Sequence, residues 1–218
     1  MESILQQTIE YITSMDPYEA TGLIFGLLAV IFLIKENILT WPSGIIYVLV
    51  SLVVFWREKL YADFALHIFF LVLNIYGWWY WVRGKKSPDR ESPLDAAPDQ
   101  SQAKEVPVTH ASSGVLTALI LISAMGIFLM GFLLESFTDA SLPYWDSATT
   151  MLSLAGMWLT ARKKIENWHF WFVVDVLATG VYYYKGIHFY SILYLVYIGL
   201  AVSGYLAWRK TMRVQTSL

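Results

Sequence analysis

Apolar stretches of near-membrane length divide most of this chain, at 18–34, 41–56, 60–82, 114–134, 147–160, 168–184 and 188–208. The hydrocarbon core of a bilayer takes roughly 20 consecutive apolar residues per helix. Inside it every backbone N–H and C=O must find a partner within the chain, which leaves helices as the solution for segments like these. Composition agrees, with 57% hydrophobic and 15% charged residues, against about 25% charged in soluble domains. The expectation is an all-α, polytopic membrane protein with about seven transmembrane helices, the fifth the shortest. The absence of cysteine excludes disulfides, thiolate metal sites and a cysteine nucleophile. A net charge of −2 without a basic face gives no reason to expect a nucleic-acid partner. Neither cofactor nor metal is expected.

The organisation reads as a polar N-terminal segment (1–17), three helices (18–82), a linker (83–112), a linking helix (113–135), three more helices (145–209) and a short tail (210–218). The linker is rich in Pro, Ser and mixed charge, a composition too poor in apolar groups to fold alone, so it is expected to be flexible. With seven spans, twelve of the fifteen Lys and Arg fall on one side. The positive-inside rule then places that side, with the linker and the C-terminus, in the cytoplasm and the N-terminus outside. The first residues lack a basic n-region, so no cleavable signal is expected.

A shift of 127 residues superposes the first three apolar stretches on the last three without a gap. Trp41 falls on Trp168, Gly77 on Gly204 and Trp81 on Trp208. Four bilayer crossings separate the first span from the fifth, so both triplets run in the same direction. That is a 3+1+3 parallel repeat, a plan in which substrate sits near the midplane between the repeats.

Within the sixth stretch Trp168, Trp171 and Asp175 share one helical face. A carboxylate inside an apolar span belongs to a bundle interior or a wet cavity, and indoles beside an anion suit a flat cationic ring. The third stretch carries Asp63, His67, Phe70, Asn74, Gly77 and Trp81 on a single face. In the seventh, Tyr190, Tyr194 and Tyr197 do the same, and Tyr194 is the repeat partner of His67. His67, Asn74, Tyr194 and Tyr197 are therefore candidate cavity residues beside the sixth-span triad. Asp63 lies near a helix start, where a capping role suffices. Trp78, Trp79 and Trp145 read as interfacial anchors, and Gly22 with Gly26 as a GxxxG packing pair.

The segments YADFALHIFFLVLNIYGWWYW and WDSATTMLSLAGMWLTARKKIENWHFWFVVD resemble the PnuC family of vitamin B3 transporters. The motifs that carry the resemblance are NxxGWxxW at Asn74–Trp81, WDS at Trp145–Ser147 and ENWxxW at Glu166–Trp171. It implies a SWEET-like 3+1+3 fold, a homotrimer, and facilitated diffusion of nicotinamide riboside across a bacterial inner membrane, with intracellular phosphorylation trapping the substrate. The riboside pattern has glutamine where this chain has His67 and asparagine where it has Asp175. Thiamine or another vitamin or nucleoside, with possible proton coupling through those two residues, therefore stays open beside nicotinamide riboside. An intramembrane enzyme is the distant alternative, and no HExxH or clustered histidines favour it.

Overall fold

Proline and short polar side chains set where several helices begin. Asp16 accepts a hydrogen bond from the Tyr18 N–H at 2.8 Å with Pro17 in the first turn, a side-chain cap followed by the residue that least needs an N–H. Ser112 caps another helix through the Val115 N–H, and Pro143 opens a third. The structure is a computed structural model that describes residues 4–57, 61–83 and 106–216, the side chains of residues 5, 61–63 and 216 excepted. Asp63 is thus outside the described side chains.

Among the described residues the chain forms eight helices: α1 (Ile4–Ser14), α2 (Pro17–Ile34), α3 (Thr40–Arg57), α4 (Tyr61–Arg83), α5 (Ser113–Phe137), α6 (Pro143–Ala161), α7 (Asn167–Tyr184) and α8 (His188–Thr216). Five of them, α2, α3, α4, α5 and α8, are long and apolar enough to cross a membrane, against the seven spans expected from sequence. α6 and α7 have the length, at 19 and 18 residues. They are less apolar because they carry Asp146, Thr149, Thr160, Asn167 and Asp175, and part of that polarity is turned inward: Ser147, Thr160, Asn167 and Asp175 are buried. Apolar side chains face outward instead, most plainly on α5, where Phe128 is 71% exposed, as a lipid-facing surface requires.

The 127-residue offset reappears in the helix bounds. α3 and α7 have 18 residues each and begin at Thr40 and Asn167, while α4 and α8 begin at Tyr61 and His188. The turns after α2 and α6 match bond for bond. Glu36 N–H donates to Leu33 O at 2.9 Å and Asn37 N–H to Phe32 O at 2.8 Å; the partners Lys163 and Lys164 donate to Thr160 O at 3.0 Å and Leu159 O at 2.9 Å. Both turns put a non-glycine residue, Glu36 or Lys163, at φ 53°, where helix ends usually have glycine. The two triplets meet where α4 packs on α6 and α2 on α8, and α5 lies against α6.

The structure adds detail to three of the segments expected from sequence. Within 1–17, residues 4–14 are helical and pack on α8. α8 continues to Thr216, past the expected end at 209, with Arg213 in its last turn, where a cation suits the helix dipole. Most of the linker (83–112) lies outside the described residues, but its last part runs along the α6–α7 turn. There Ile165 N–H donates to Thr109 O at 3.1 Å, Lys164 Nζ reaches Thr109 Oγ1 at 2.8 Å, and Val108 is buried.

Candidate functional site

A cavity of about 250 Å3 opens between the two triplets. Seven aromatic residues line it: Trp41 and Tyr47 on α3, Phe70 on α4, Trp168 and Trp171 on α7, and Tyr194 and Tyr197 on α8. Asn74, Thr40, Thr160 and Ser153 add polar groups, and Asp175 is the one ionisable acid or base of the lining apart from tyrosine. The volume falls just under the roughly 300–1,000 Å3 of typical small-ligand sites, and the mix of rings with few polar groups matches their chemistry.

Asp175 is 6% exposed. Among the described residues no side chain hydrogen-bonds or ion-pairs with its carboxylate; only its backbone C=O is engaged, by the Thr179 hydroxyl at 2.7 Å. A buried carboxylate is normally paired; among the described residues this one is not, and it lines the cavity.

Six of the seven residues singled out from sequence (Trp168, Trp171, Asp175, Asn74, Tyr194 and Tyr197) line this one cavity. His67 does not. Its ring packs among Phe55, Phe70 and Tyr47 at centroid distances of 4.6, 5.3 and 6.1 Å, one layer behind the wall. The i, i+3 and i+4 spacing put it on the right face of α4, but Phe70 and Tyr47 stand between that face and the cavity. Trp78, Trp79 and Trp145 are on the outside, 40%, 47% and 52% exposed, with the Arg83 guanidinium stacked 4.3 Å from the Trp79 ring.

The local packing explains why the rings hold still. Trp171 Nε1 donates to Thr160 Oγ1 at 3.1 Å while that hydroxyl donates to Gly156 O at 2.9 Å, so the indole hangs from a hydroxyl whose proton is already committed. Asn74 Nδ2 donates to Phe70 O at 2.9 Å, and its amide oxygen fills the space a side chain at Gly44 would take. The Trp41 ring lies over Gly77 and the Trp168 ring over Gly204; a methyl at either glycine would collide with the indole. Each indole then meets the next edge-on, Trp41 with Trp81 (5.3 Å, 84°) and Trp168 with Trp208 (5.5 Å, 86°). At the other end of the cavity Tyr194 stacks on Tyr182 at 5.4 Å, Tyr182 on Tyr190 at 5.3 Å, and Tyr190 meets Tyr11 of α1 edge-on at 5.9 Å.

At the Trp end, Glu166 ties the linker's last residues down. Partial burial opposes its charge, but the Ala111 N–H and the His110 ring, at 2.9 and 2.7 Å, hold its carboxyl below the ordinary value.

Residues 16–210 match the family model described as the nicotinamide mononucleotide transporter. The chain belongs to this family, the PnuC transporters. The nicotinamide riboside transporter PnuC of Escherichia coli K12 is 28% identical over 212 residues, covering 91% of this chain and 87% of that protein. The riboflavin/roseoflavin transporter RibM of Streptomyces davaonensis is 23% identical over 191 residues, covering 87% and 83%. A crystal structure of the vitamin B3 transporter PnuC superposes with a TM-score of 0.68 at 19% identity, covering 96% of this chain and 88% of that one. The fold is thus that of a multi-pass PnuC transporter, and membership in a transporter family sets aside the intramembrane-enzyme reading.

In this PnuC-family chain, sequence reasoning passed over Trp41, Tyr47, Thr40 and Thr160 as cavity residues. Trp41 was legible as the repeat partner of Trp168. Tyr47 and the threonines had no such mark, because an aromatic or hydroxyl residue in an apolar span reads equally well as packing.

Proposed function

We propose that this chain carries nicotinamide riboside across a bacterial inner membrane by facilitated diffusion. The observation that carries this reading is Asp175, a buried carboxylate without a partner among the described residues, in an aromatic-walled cavity. A pyridinium ring supplies the missing positive charge and the flat face that indoles and phenols stack on. Trp168 and Trp171 flank the ring, Asp175 faces its charge, and Asn74, Tyr194 and Tyr197 bond the polar groups of the sugar. The names of two relatives as nicotinamide riboside transporters support the choice.

The scaffold of this reading has seven spans, α2 to α8, in a 3+1+3 parallel repeat, with α2–α4 and α6–α8 as the moving units and α5 as the link. The matched helix bounds and turns support it. Rocking of the units about the axis between them exposes the cavity to one side at a time. In this reading the α2–α3 turn, the linker and the C-terminus lie in the cytoplasm, which the Lys and Arg distribution supports. The substrate enters by uniport and is retained by phosphorylation inside, and the functional particle is a homotrimer.

The test is binding and uptake with purified, reconstituted protein. Nicotinamide riboside is expected to raise the unfolding temperature more than riboflavin, deoxynucleosides or thiamine, and uptake is expected to survive collapse of the proton gradient. Wild-type binding by both Asp175→Ala and Trp168→Ala refutes the site. Selective stabilisation by thiamine replaces the substrate but keeps the cation requirement. Uptake that stops with the gradient replaces uniport by proton coupling, and native mass spectrometry checks the trimer.

A further inference from the structure

Beyond the Trp end of the cavity, the two left-handed turns meet on the axis between the repeats. Glu36 and Lys163 are repeat partners, and they pair with each other: Lys163 Nζ lies 2.7 Å from Glu36 Oε2, with side chains 3% and 14% exposed. Both residues take φ 53°, a conformation unfavourable for anything but glycine or asparagine. A glycine would relieve each turn but would remove the side chain that reaches across. The Lys163 ammonium also sits 4.8 Å from the Trp81 ring centroid, and Trp81 meets its own repeat partner Trp208 at 6.4 Å.

Next to this contact, Trp208 Nε1 donates to Leu33 O at 3.0 Å, and the linker segment through Val108 and Thr109 runs along the α6–α7 turn. The ion pair itself borders a second, more polar recess of about 260 Å3, lined by Lys35, Glu36, Asn37, Trp81, Val106 and Lys163. Trp41 on the wall of the aromatic cavity meets Trp81 on the wall of this recess, and the ion pair lies on the recess side of that contact.

We propose that Glu36 and Lys163 are gate residues of the transport cycle: joined, they hold the repeats together at this end, and separated, they open the aromatic cavity toward the cytoplasm through the Trp81-side recess. A buried ion pair suits a gate because its intermediate state is unfavourable. A half-broken pair leaves a charge buried and uncompensated, whereas full opening lets both groups take water in the recess. The closure therefore has two discrete states. The proposal rests on the transport reading above for its direction across the membrane.

The chain has no cysteine, so a single reporter, Ser153→Cys in the cavity wall, can be followed in the full-length protein. A membrane-impermeant thiol reagent is applied to inside-out and right-side-out vesicles without substrate. Glu36→Gln and Lys163→Gln are each expected to raise labelling from the cytoplasmic face by about tenfold, and the exchange Glu36→Lys with Lys163→Glu to return it toward the parent rate. Parent-rate labelling in both single variants overturns the gate, and so does a folded exchange variant that labels as fast as they do. A rise confined to the opposite face overturns its cytoplasmic side. If the single variants do not fold, Glu36→Cys and Lys163→Cys are added to the reporter and bridged by a short reducible cross-linker, with labelling read at position 153 alone by peptide mass spectrometry: loss of cytoplasmic labelling there that reduction restores supports the gate, and unchanged labelling overturns it. Labelling needs no substrate, so a parent protein that gates as described yet takes up no nicotinamide riboside refutes the transport reading alone.

Discussion

Gly204→Ala gives a prediction whose sign decides the packing. Alanine is better than glycine inside a helix by about 1 kcal/mol, so propensity alone makes the variant more stable. In the structure, however, the added methyl lands on the six-membered ring of Trp168. That indole is 2% exposed and wedged edge-on against Trp208. Overpacking of this kind costs about 1–3 kcal/mol, and loosening the edge-to-face pair about 0.5–1.5 kcal/mol more. Set against the propensity gain, the net expectation is a loss of about 1–3 kcal/mol. The assay is reversible unfolding of purified protein in mild detergent. Gly77→Ala, which drives a methyl into Trp41 in the same way, is expected to lose a similar amount. Adding Trp168→Phe to Gly204→Ala makes room for the methyl and recovers part of the loss. The two single variants are also expected to bind ligand less well, because both rings line the cavity. If Gly204→Ala is instead stabilised by about 1 kcal/mol, propensity has won and the ring is not held as described.

Asp175→Asn keeps the shape and removes the charge. A charge pair about 4–6 Å apart at an effective dielectric of 20 is worth roughly 3–4 kcal/mol before desolvation is repaid, so calorimetry is expected to show nicotinamide riboside binding weakened by about ten- to a hundredfold, with an uncharged riboside analogue much less affected. Thr160→Val removes the oxygen that accepts the Trp171 N–H, and a hydrogen bond of this type contributes about 1 kcal/mol; ligand affinity is expected to fall several-fold, with Trp171 fluorescence shifted in the free protein. Glu166 has a carboxyl held below its ordinary value, so its stabilising contribution is present above the unfolded value near 4.5 and is lost as pH falls through the lower folded one. The thermal stability gap between parent and Glu166→Gln is accordingly expected to be widest near neutrality and to close in acid; a gap that grows on acidification contradicts the assignment.

Helical periodicity exposed which residues share a face, and that was enough to bring Trp168, Trp171, Asp175, Asn74, Tyr194 and Tyr197 to one cavity. Periodicity does not tell which neighbour covers that face, and His67 shows the consequence: it shares the line of Asn74 but sits behind Phe70 and Tyr47. Glu36 and Lys163 were illegible for a related reason. A charged residue in a turn is ordinarily solvated, and nothing in either local sequence shows that an axis brings the two turns face to face. The short α6 and the polar α7 were legible as helices through the repeat, while their own hydropathy falls short of a span.

The repeat also sorts the residues by role. Positions that build the frame are the same in both halves: Trp41 and Trp168 over Gly77 and Gly204, Trp81 and Trp208 beyond them, and two turns with matching bonds. Apart from Trp41 and Trp168, most positions that face the cavity differ. Asp175 corresponds to Val48, Asn74 to Ala201, Tyr47 to Val174 and Trp171 to Gly44, each pair setting a polar or bulky group against a small or apolar one. A symmetric frame with an asymmetric lining fits a ligand that is itself chemically lopsided, with a charged ring at one end and hydroxyls at the other. On the proposed function, equal halves are the units that rock against each other. On the same reading, the unequal lining leaves one orientation in which the ring charge meets Asp175 and the hydroxyls reach Asn74, and a molecule that carries both groups is the one expected to bind.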